Sequence, residues 1–293
     1  MAASERALAA PTTRAGSTRR RRALGAVATH GLLVGWGAAS LVPFFWMVST
    51  SLKEFGQVFL FPPVWIPDPI TTEAYAKLLK NVPFLTWTIN TFVVSATIMV
   101  GQLVSCSLAA YAFARLRFRG RDRLFVLYLG TLMIPYQVTL IPTYILFNRL
   151  GLINSYAVLI LPSLFGGAFG TFLLRQFFMT IPQELEDAAT IDGAGHFTIY
   201  RTIIMPLSGP ALAALGVFVF MNHWNDFLWP LVTISETNRK TLTIGLATLQ
   251  GQYNTEWTQM MAGAVLSLLP ILIVFFAAQR YFVEGITLSG IKG

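Results

Sequence analysis

Six stretches of the chain are each long and apolar enough to cross a lipid bilayer as a helix. A membrane-spanning helix needs about 20 mostly apolar residues. Only 12% of the residues are charged, roughly half the share found in soluble domains, so there is too little polar surface for a globule in water. The sequence therefore predicts an all-α polytopic membrane protein. Its six transmembrane helices lie near residues 25–50, 88–114, 124–147, 156–179, 208–233 and 260–282.

Lysine and arginine are unevenly distributed over the segments that join these six spans. With the N-terminus inside the cell, the cytoplasmic segments carry 15 of these residues and the external segments carry 6. Cytoplasmic loops of membrane proteins are enriched in positive charge, so both termini are predicted to be cytoplasmic. The basic runs at 19–22 and 115–123 are interpreted as topology signals that contact membrane lipid. Nucleic-acid binding would need a basic face on a soluble module, and the sequence contains no such module.

The N-terminal residues 1–24 contain Ala, Thr, Ser and Arg without an apolar period. We interpret them as a disordered basic cytoplasmic tail that precedes a membrane domain at 25–293. A cleaved signal peptide is the alternative, since a basic start is followed by small residues. The apolar run continues through LVPFFWM, which is too long for a signal-peptide core and favours an uncleaved first span.

The fifth span contains the most polar stretch of any span, FVFMNHWNDFLWPL. Asn222, Asn225, Asp226 and Trp229 follow the i, i+3, i+4, i+7 spacing of one helix face. A carboxylate at membrane depth normally faces a cavity or a partner, so this face is a candidate solute pathway. The alternative is that Asp226 lies near the external interface while the asparagines bond to neighbouring helices. His223 is predicted to point away from this face.

Candidates for metal binding and for catalysis are few. His30 and His196 are isolated from other ligand types, and the single cysteine, Cys106, lies in an apolar run. The sequence therefore predicts no metal site, no disulfide and no catalytic residue.

The acidic stretch ELEDAATIDGAG, residues 184–195, lies in the segment between spans 4 and 5. Carboxylates in an opening turn complement the helix dipole, and Pro182 is predicted as the first helical residue with Thr180 as its cap. Asp192-Gly193 is predicted to end this helix, with glycine supplying a positive φ. A second helix is predicted from about 195 to 204, with Phe197, Tyr200 and Ile204 on one face. The segment is thus a predicted cytoplasmic helix-turn-helix.

This segment has too many small and apolar side chains for a loop that is solvated on all sides. That pattern favours a plug for the groove of a partner protein. Two alternatives are a helix that lies on the membrane surface and an ordinary solvated connector. The carboxylates argue against docking on an anionic leaflet. A carboxylate pair for acid–base catalysis lacks an accompanying pocket, metal ligand or nucleophile.

The sequence EDAATIDGAGHFTIYRTIIMP resembles the EAA loop of ATP-binding-cassette importer permeases. The family pattern is Glu-Ala-Ala, three residues, Gly, nine residues, then Ile-x-Leu-Pro, and here Asp187 replaces the Glu and Met205 replaces the Leu. Further stretches, among them MIPYQVTLIPTYILFNRLGLINS, WNDFLWPL and QRYFVEGITLSGIKG, are similar to the carbohydrate-importer branch, in particular its maltose-type six-span subunit. The resemblance covers residues 40–293. It implies these ATPase-coupling residues: Glu184, Asp187, Ala188, Ala189, Asp192, Gly193, Ala194, Ile203 and Pro206.

The resemblance also implies the rest of the assembly. Two ATPase subunits would bind the loop, a second homologous permease would complete the pore, and an extracytoplasmic solute-binding protein would deliver a sugar substrate to the plasma (inner) membrane. ATP and Mg would be held by the partner ATPase, so this chain is expected to need no cofactor and to be no enzyme. In agreement, the 293 residues contain no G-x-x-x-x-G-K-[ST] phosphate loop.

Other function classes remain open on the residues alone. The same importer class includes permeases for non-sugar solutes such as polyamine, phosphate or peptide. A membrane-embedded enzyme would need a cluster of His, Asp or Glu inside the bundle, which the sequence lacks. A stand-alone channel or secondary carrier would need no groove-filling loop and would move solute without ATPase subunits.

Overall fold

The computed structural model describes residues 15–251 and 255–290 as an all-helical bundle. Within these ranges no β-strand forms beyond one bridge between Gln250 and Thr255. In chain order the α-helices are α1 Ala15–Ser51, α2 Glu73–Asn81, α3 Phe84–Arg115, α4 Arg121–Gly130, α5 Tyr136–Arg149, α6 Tyr156–Leu164, α7 Ala168–Phe178, α8 Glu184–Ile191, α9 His196–Ile199, α10 Met205–Leu207, α11 Gly209–Trp224, α12 Leu228–Thr233, α13 Leu242–Ala247 and α14 Trp257–Gly290.

Three helical segments are long and apolar enough to cross a membrane unaided: Gly25–Ser51, Phe84–Arg115 and Trp257–Ala277. Three pairs of shorter helices reach the same length only if each bent pair counts as one span. The bends are 93° between α4 and α5, 41° between α6 and α7, and 79° between the helical segment that ends at Leu207 and α11. The first two breaks contain proline or glycine, and Gly209 and Pro210 open the helix after the third break. Both residue types interrupt the backbone ladder of a helix.

The first helix begins earlier than the sequence predicted. It starts at Ala15 rather than near residue 25, so residues 15–24, which we assigned to a disordered tail, are helical. Extending an existing helix avoids the cost of nucleation, and alanine and arginine are good helix formers. The rest of the predicted tail, residues 1–14, lies outside the described residues.

The fifth predicted span is not one helix. α11 ends at Trp224, and the short α12 begins only at Leu228. Proline at 230 has no N–H to bond to the carbonyl of Asp226, four residues earlier. That carbonyl instead accepts a 2.6 Å hydrogen bond from the Thr243 hydroxyl. The Asn225 amide donates to the carbonyl of Met221 at 2.8 Å, a local bond of the kind that competes with continued helix.

Two apolar clusters hold the bundle together. The larger cluster surrounds α3, α6, α7 and α11 and includes Ile98, Leu174, Phe178 and Leu215. The smaller one joins α2 to α3, α11, α13 and α14 through Leu78, Trp87, Trp224, Leu242 and Ala262. Burial of apolar area is the main favourable term in each cluster.

Hydrogen bonds define the two ends of the bundle. At the first turns of α3, Trp87 Nε1 donates to the carbonyl of Thr237 at 2.8 Å, and the Asn90 amide donates to the carbonyls of Asn238 and Lys240. At the other end of α3, Arg115 contacts the segment that follows α7. The 234–241 segment and the 180–207 segment therefore lie at opposite ends of this helix.

Candidate functional site

The segment 180–207, which we call the coupling loop, folds as helix, turn and helix. α8 begins at Glu184 with three carboxylates in its first turn. Pro182 precedes the helix instead of opening it, and the prediction of Thr180 as the N-cap is wrong. The Thr180 hydroxyl and its backbone N–H both donate to the carbonyl of Phe177, at 2.7 and 2.9 Å, so Thr180 caps the C-terminus of α7 instead of the N-terminus of α8.

The turn after α8 is a Schellman motif. Gly193 has a φ of 85°, as the Asp-Gly pair predicted. The Ala194 N–H bonds to the carbonyl of Ala189 at 2.9 Å, and the Gly193 N–H bonds to that of Thr190 at 3.0 Å. These two bonds satisfy the last carbonyls of the helix. They turn the chain back toward α9 and a π-helical turn at Tyr200–Ile204.

One face of the coupling loop is packed against the bundle. Tyr200 and Ile204 are buried in the larger cluster, where Ala189, Ala194 and Ile203 also pack. The Tyr200 and Ser107 hydroxyls lie 2.8 Å apart and join this face to α3. Three of the nine predicted coupling residues thus face inward at least in part.

Arg115, the last residue of α3, clamps the start of α8. Its guanidinium donates to the carbonyls of Phe178 and Ile181 and to Oε1 of Gln183. Its Nε lies 2.8 Å from Oε1 of Glu186, and both side chains are buried. Sequence reasoning read Arg115 only as a topology signal and did not select Glu186. The helical period of α8 carried the signal, because it places Glu186 on the face opposite to Glu184.

The Glu186 carboxyl is only 5% exposed. Burial raises its pKa above the usual range, and the neighbouring Arg115 opposes that shift. Removal of the guanidinium would therefore leave a carboxyl that either bears an unpaired buried charge or takes up a proton.

The opposite face of the coupling loop is exposed and largely apolar. Leu185, Ile191 and Phe197 are 44%, 86% and 68% exposed. Phe197, which the spacing placed beside Tyr200 and Ile204, is therefore on the outside, although its ring still contacts that of Tyr200. The predicted residues on this surface are Glu184, Asp187, Ala188, Asp192, Gly193 and Pro206. The surface combines apolar side chains with carboxylates.

A cavity of about 970 Å³ lies between α5, α6 and the end of α11. We call it the polar cavity. All four residues of the predicted stripe, Asn222, Asn225, Asp226 and Trp229, line it, although the break after Trp224 removes the continuous helix face on which the prediction rested. Asn222 reaches the cavity from α11, and Asn225 and Asp226 reach it from the kink at residues 225–227.

Two residues depart from their predicted positions around the polar cavity. Trp229 is 4% exposed, and its Nε1 donates to the carbonyl of Val158 at 2.8 Å. It therefore serves mainly to anchor α12 against α6. His223, which the helical period directed elsewhere, lines the cavity. Sequence reasoning also missed Tyr136 and Gln137, which reach the cavity because the 93° bend places the start of α5 beside α11.

No group of three or more potential metal ligands from His, Cys, Asp and Glu occurs in the described ranges. Cys106 is buried and makes a long contact from its Sγ to the carbonyl of Gly167. The thiol fills the space beside Gly166 and Gly170, where an added Cβ would come within 2.8 Å of its sulfur. Cys106 is therefore a packing residue.

Comparison with protein families gives one match that covers most of the chain. Residues 103–288 match the model described as "Binding-protein-dependent transport system inner membrane component". Among curated relatives, the "Arabinooligosaccharides transport system permease protein AraQ" of Halalkalibacterium halodurans is 37% identical, over 84% of this chain and 86% of its own. The "sn-glycerol-3-phosphate transport system permease protein UgpE" of Salmonella typhi is 36% identical, over 88% of this chain and 94% of its own.

Solved structures give a matching fold. A chain of a bacterial ABC transporter involved in the import of the acidic polysaccharide alginate aligns with a TM-score of 0.78 at 25% identity, over 93% of this chain and all of its own length. A chain of a bacterial alginate ABC transporter in complex with an alginate pentasaccharide-bound periplasmic protein aligns with a TM-score of 0.68 at 15% identity, over 92% of this chain and 96% of its own. The second likeness concerns the fold alone.

Proposed function

Because the chain belongs to the family of binding-protein-dependent transport system inner membrane components, we propose that it is the transmembrane permease subunit of an ATP-driven importer whose cargo is a sugar. Both curated relatives are named as permease proteins of transport systems for a sugar chain or a polyol phosphate. A polysaccharide importer supplies a matching structure. These names favour a carbohydrate over a polyamine or peptide.

The observation that carries the proposal is the two-sided coupling loop. Its inner face is held to α3 and α7 by Arg115, Glu186 and Tyr200. Its outer face exposes Ile191 and Phe197 to solvent. An exposed apolar surface with an acidic border is typical of a site for protein–protein contact. A groove on an ATPase subunit would cover it, and the clamp would transmit movement of that subunit to the spans.

The proposed assembly contains further partners besides this chain. With no phosphate loop in the 293 residues, ATP and its Mg would be bound by two separate ATPase subunits. The polar cavity opens at the surface of the single chain, where a carboxylate facing lipid would be costly. A second permease would close this side of the cavity. A solute-binding protein outside the membrane would deliver the cargo.

Membrane orientation gives the first testable consequence. We propose that the end of the bundle with the coupling loop is cytoplasmic, as the charge distribution indicates. Asp122, Thr72 and Thr237 are all exposed, so thiol labelling at these positions depends on the side of the membrane. In a Cys106→Ala background, we expect an impermeant external thiol reagent to label Thr72→Cys and Thr237→Cys but not Asp122→Cys. Labelling of Asp122→Cys in sealed cells would reverse the proposed orientation.

We propose that the polar cavity is part of the solute pathway. Asn222 and Asn225 are exposed at the cavity, and Asp226 is half-buried there. Amide and carboxylate groups can donate to and accept from adjacent hydroxyls of a sugar. Tyr136 replaces Trp229 as the aromatic side chain that could contact the C–H face of a sugar ring.

Sugar uptake by membrane vesicles that contain the whole complex tests the function and the pathway together. We expect uptake to require ATP and the ATPase subunits, and Asn225→Ala and Asp226→Asn each to lower it about tenfold, the effect of losing roughly 1.4 kcal/mol of hydrogen bonding. Assembly and detergent stability should stay at native levels.

Each part of this proposal has its own contrary result. Uptake that continues without the ATPase subunits would point to a channel or carrier. Native uptake of every sugar by both variants would remove the cavity from the pathway. Loss of assembly in the same variants would mean that these residues bind neighbouring helices. As a matched control, Asn148→Ala changes an asparagine of α5 that does not line the cavity and should leave uptake unchanged.

A further inference from the structure

We propose that Asp226 makes the polar cavity selective for uncharged or cationic polyhydroxyl solutes and against anionic ones. The inference rests on the proposed role of this cavity in solute movement and specifies the substrate class. The relatives leave the class open, because an arabinooligosaccharide is neutral whereas glycerol 3-phosphate and alginate are anions.

The lining of the polar cavity contains one carboxyl group, that of Asp226, and no lysine or arginine to pair with it. Its polar side chains come from Tyr, Gln, Thr, Ser, Asn, His and Asp, and neither Lys nor Arg is among the residues that line it. Asp226 also takes part in none of the ion pairs found in the described ranges. The charge nearest to a solute in this chain's part of the cavity is therefore a carboxylate.

A carboxylate and a neutral sugar have complementary hydrogen-bonding groups. An ionised carboxylate only accepts hydrogen bonds, and the hydroxyl groups of a neutral sugar supply donors. Bonds to a charged acceptor are stronger than those between neutral groups. Asn222 and Asn225 lie four residues and one residue before Asp226 and line the same cavity. Their amides can bond the same solute through both donor and acceptor atoms.

An anionic solute meets the opposite situation. A phosphate or uronate group would approach a like charge in a site with restricted water, where Coulomb repulsion is stronger than in bulk. Recognition of such groups typically uses arginine or lysine. The basic residues at 115–123 cannot serve, because none of them lines the polar cavity.

The local potential of the cavity can be measured without knowing the natural solute. Thr139 lines the cavity on α5, and its hydroxyl donates to the carbonyl of Tyr136. In a Cys106→Ala background, Thr139→Cys in the assembled complex would be reacted with two methanethiosulfonate reagents, one bearing trimethylammonium and one bearing sulfonate. The ratio of the two rates reports the potential at this position, and the accessibility of the thiol cancels from a comparison of ratios between variants.

We expect the cationic reagent to react faster, and Asp226→Asn to lower the ratio of cationic to anionic rate by about tenfold. Glu54→Gln is the matched control, because it also removes one carboxylate, from an exposed position outside the cavity lining. It should leave the ratio unchanged.

Two results would overturn the proposal in different ways. A reactive thiol whose rate ratio is the same with Asp226 and with Asp226→Asn would refute charge selection and leave the pathway intact. A thiol that neither reagent modifies, in both nucleotide-free and vanadate-trapped complex, would remove the cavity from the pathway and refute both proposals.

Discussion

Replacement of Arg115 by methionine is expected to abolish ATP-driven uptake and to lower the thermal stability of the purified complex. Methionine can fill much of the space of the arginine stem, but it provides no donor for the carbonyls of Phe178 and Ile181. It also leaves the Glu186 carboxyl buried without its cation. Breaking a buried ion pair by removing one partner costs about 3–5 kcal/mol.

This loss should act on transport because of where the clamp lies. Arg115 is the last residue of a 32-residue helix that runs through the bundle, and it holds the first turn of α8. Without it, the coupling loop would keep its local helices but lose a fixed orientation relative to α3. Movement of an ATPase subunit bound to the loop would then not reach the spans.

The measurement is ATP-driven uptake together with the melting temperature of the complex. Glu186→Met should also destabilise the complex, and the double variant Arg115→Met with Glu186→Met should recover much of the stability, because an apolar replacement for a whole buried pair is often neutral. Arg121→Met is the matched control, since its partner Asp122 is largely exposed and such pairs contribute about 0–1 kcal/mol. Native stability and uptake in Arg115→Met would remove the clamp from the mechanism.

Much of the architecture follows from the sequence because hydrophobic length and charge are local properties. Five of the six apolar windows lie at the three long helices and the first two bent pairs. The fifth window, 208–233, covers α11 but not the helical segment before it, which belongs to the coupling loop. The Asp192-Gly193 turn was predictable because only glycine reaches a positive φ without strain. The coupling loop was predictable as helix, turn and helix for the same local reasons.

The residues that the sequence misplaced depend on contacts between distant segments. Arg115 and Glu186 are 71 residues apart in the sequence, and neither local sequence pattern predicts that the two side chains form an ion pair. The bend before α5 brings Tyr136 to a cavity beside α11, which a straight-helix projection cannot reproduce. The break after Trp224 likewise moves Asn225, Asp226 and Trp229 away from a straight-helix projection, because the helical period holds only while the helix continues. His223 lies next to Asn222 within α11, and both residues line the cavity.

The second large effect is expected at Gly193, where valine should prevent coupling while the protein still inserts into the membrane. The residue has a φ of 85°, and a β-branched side chain resists this region of the backbone map. The strain is worth about 1–3 kcal/mol. A Cβ at this position would meet no atom within 4 Å, so the effect would come from the backbone alone and not from a clash.

The neighbouring glycine separates this explanation from a general intolerance of the loop to substitution. Gly195 has a φ of −77° and also has open space around its Cβ direction, so Gly195→Val should retain most of the uptake. Asparagine tolerates the left-handed region better than other side chains, so Gly193→Asn should fall between valine and glycine. Co-purification of the ATPase subunits and ATP-driven uptake are the two readouts.

Both readouts should fall together in Gly193→Val, because relaxation of the Schellman turn would rotate α8 against α9 and disrupt the exposed surface formed by Ile191 and Phe197. Normal binding and uptake in that variant would show that the shape of this turn does not matter for coupling.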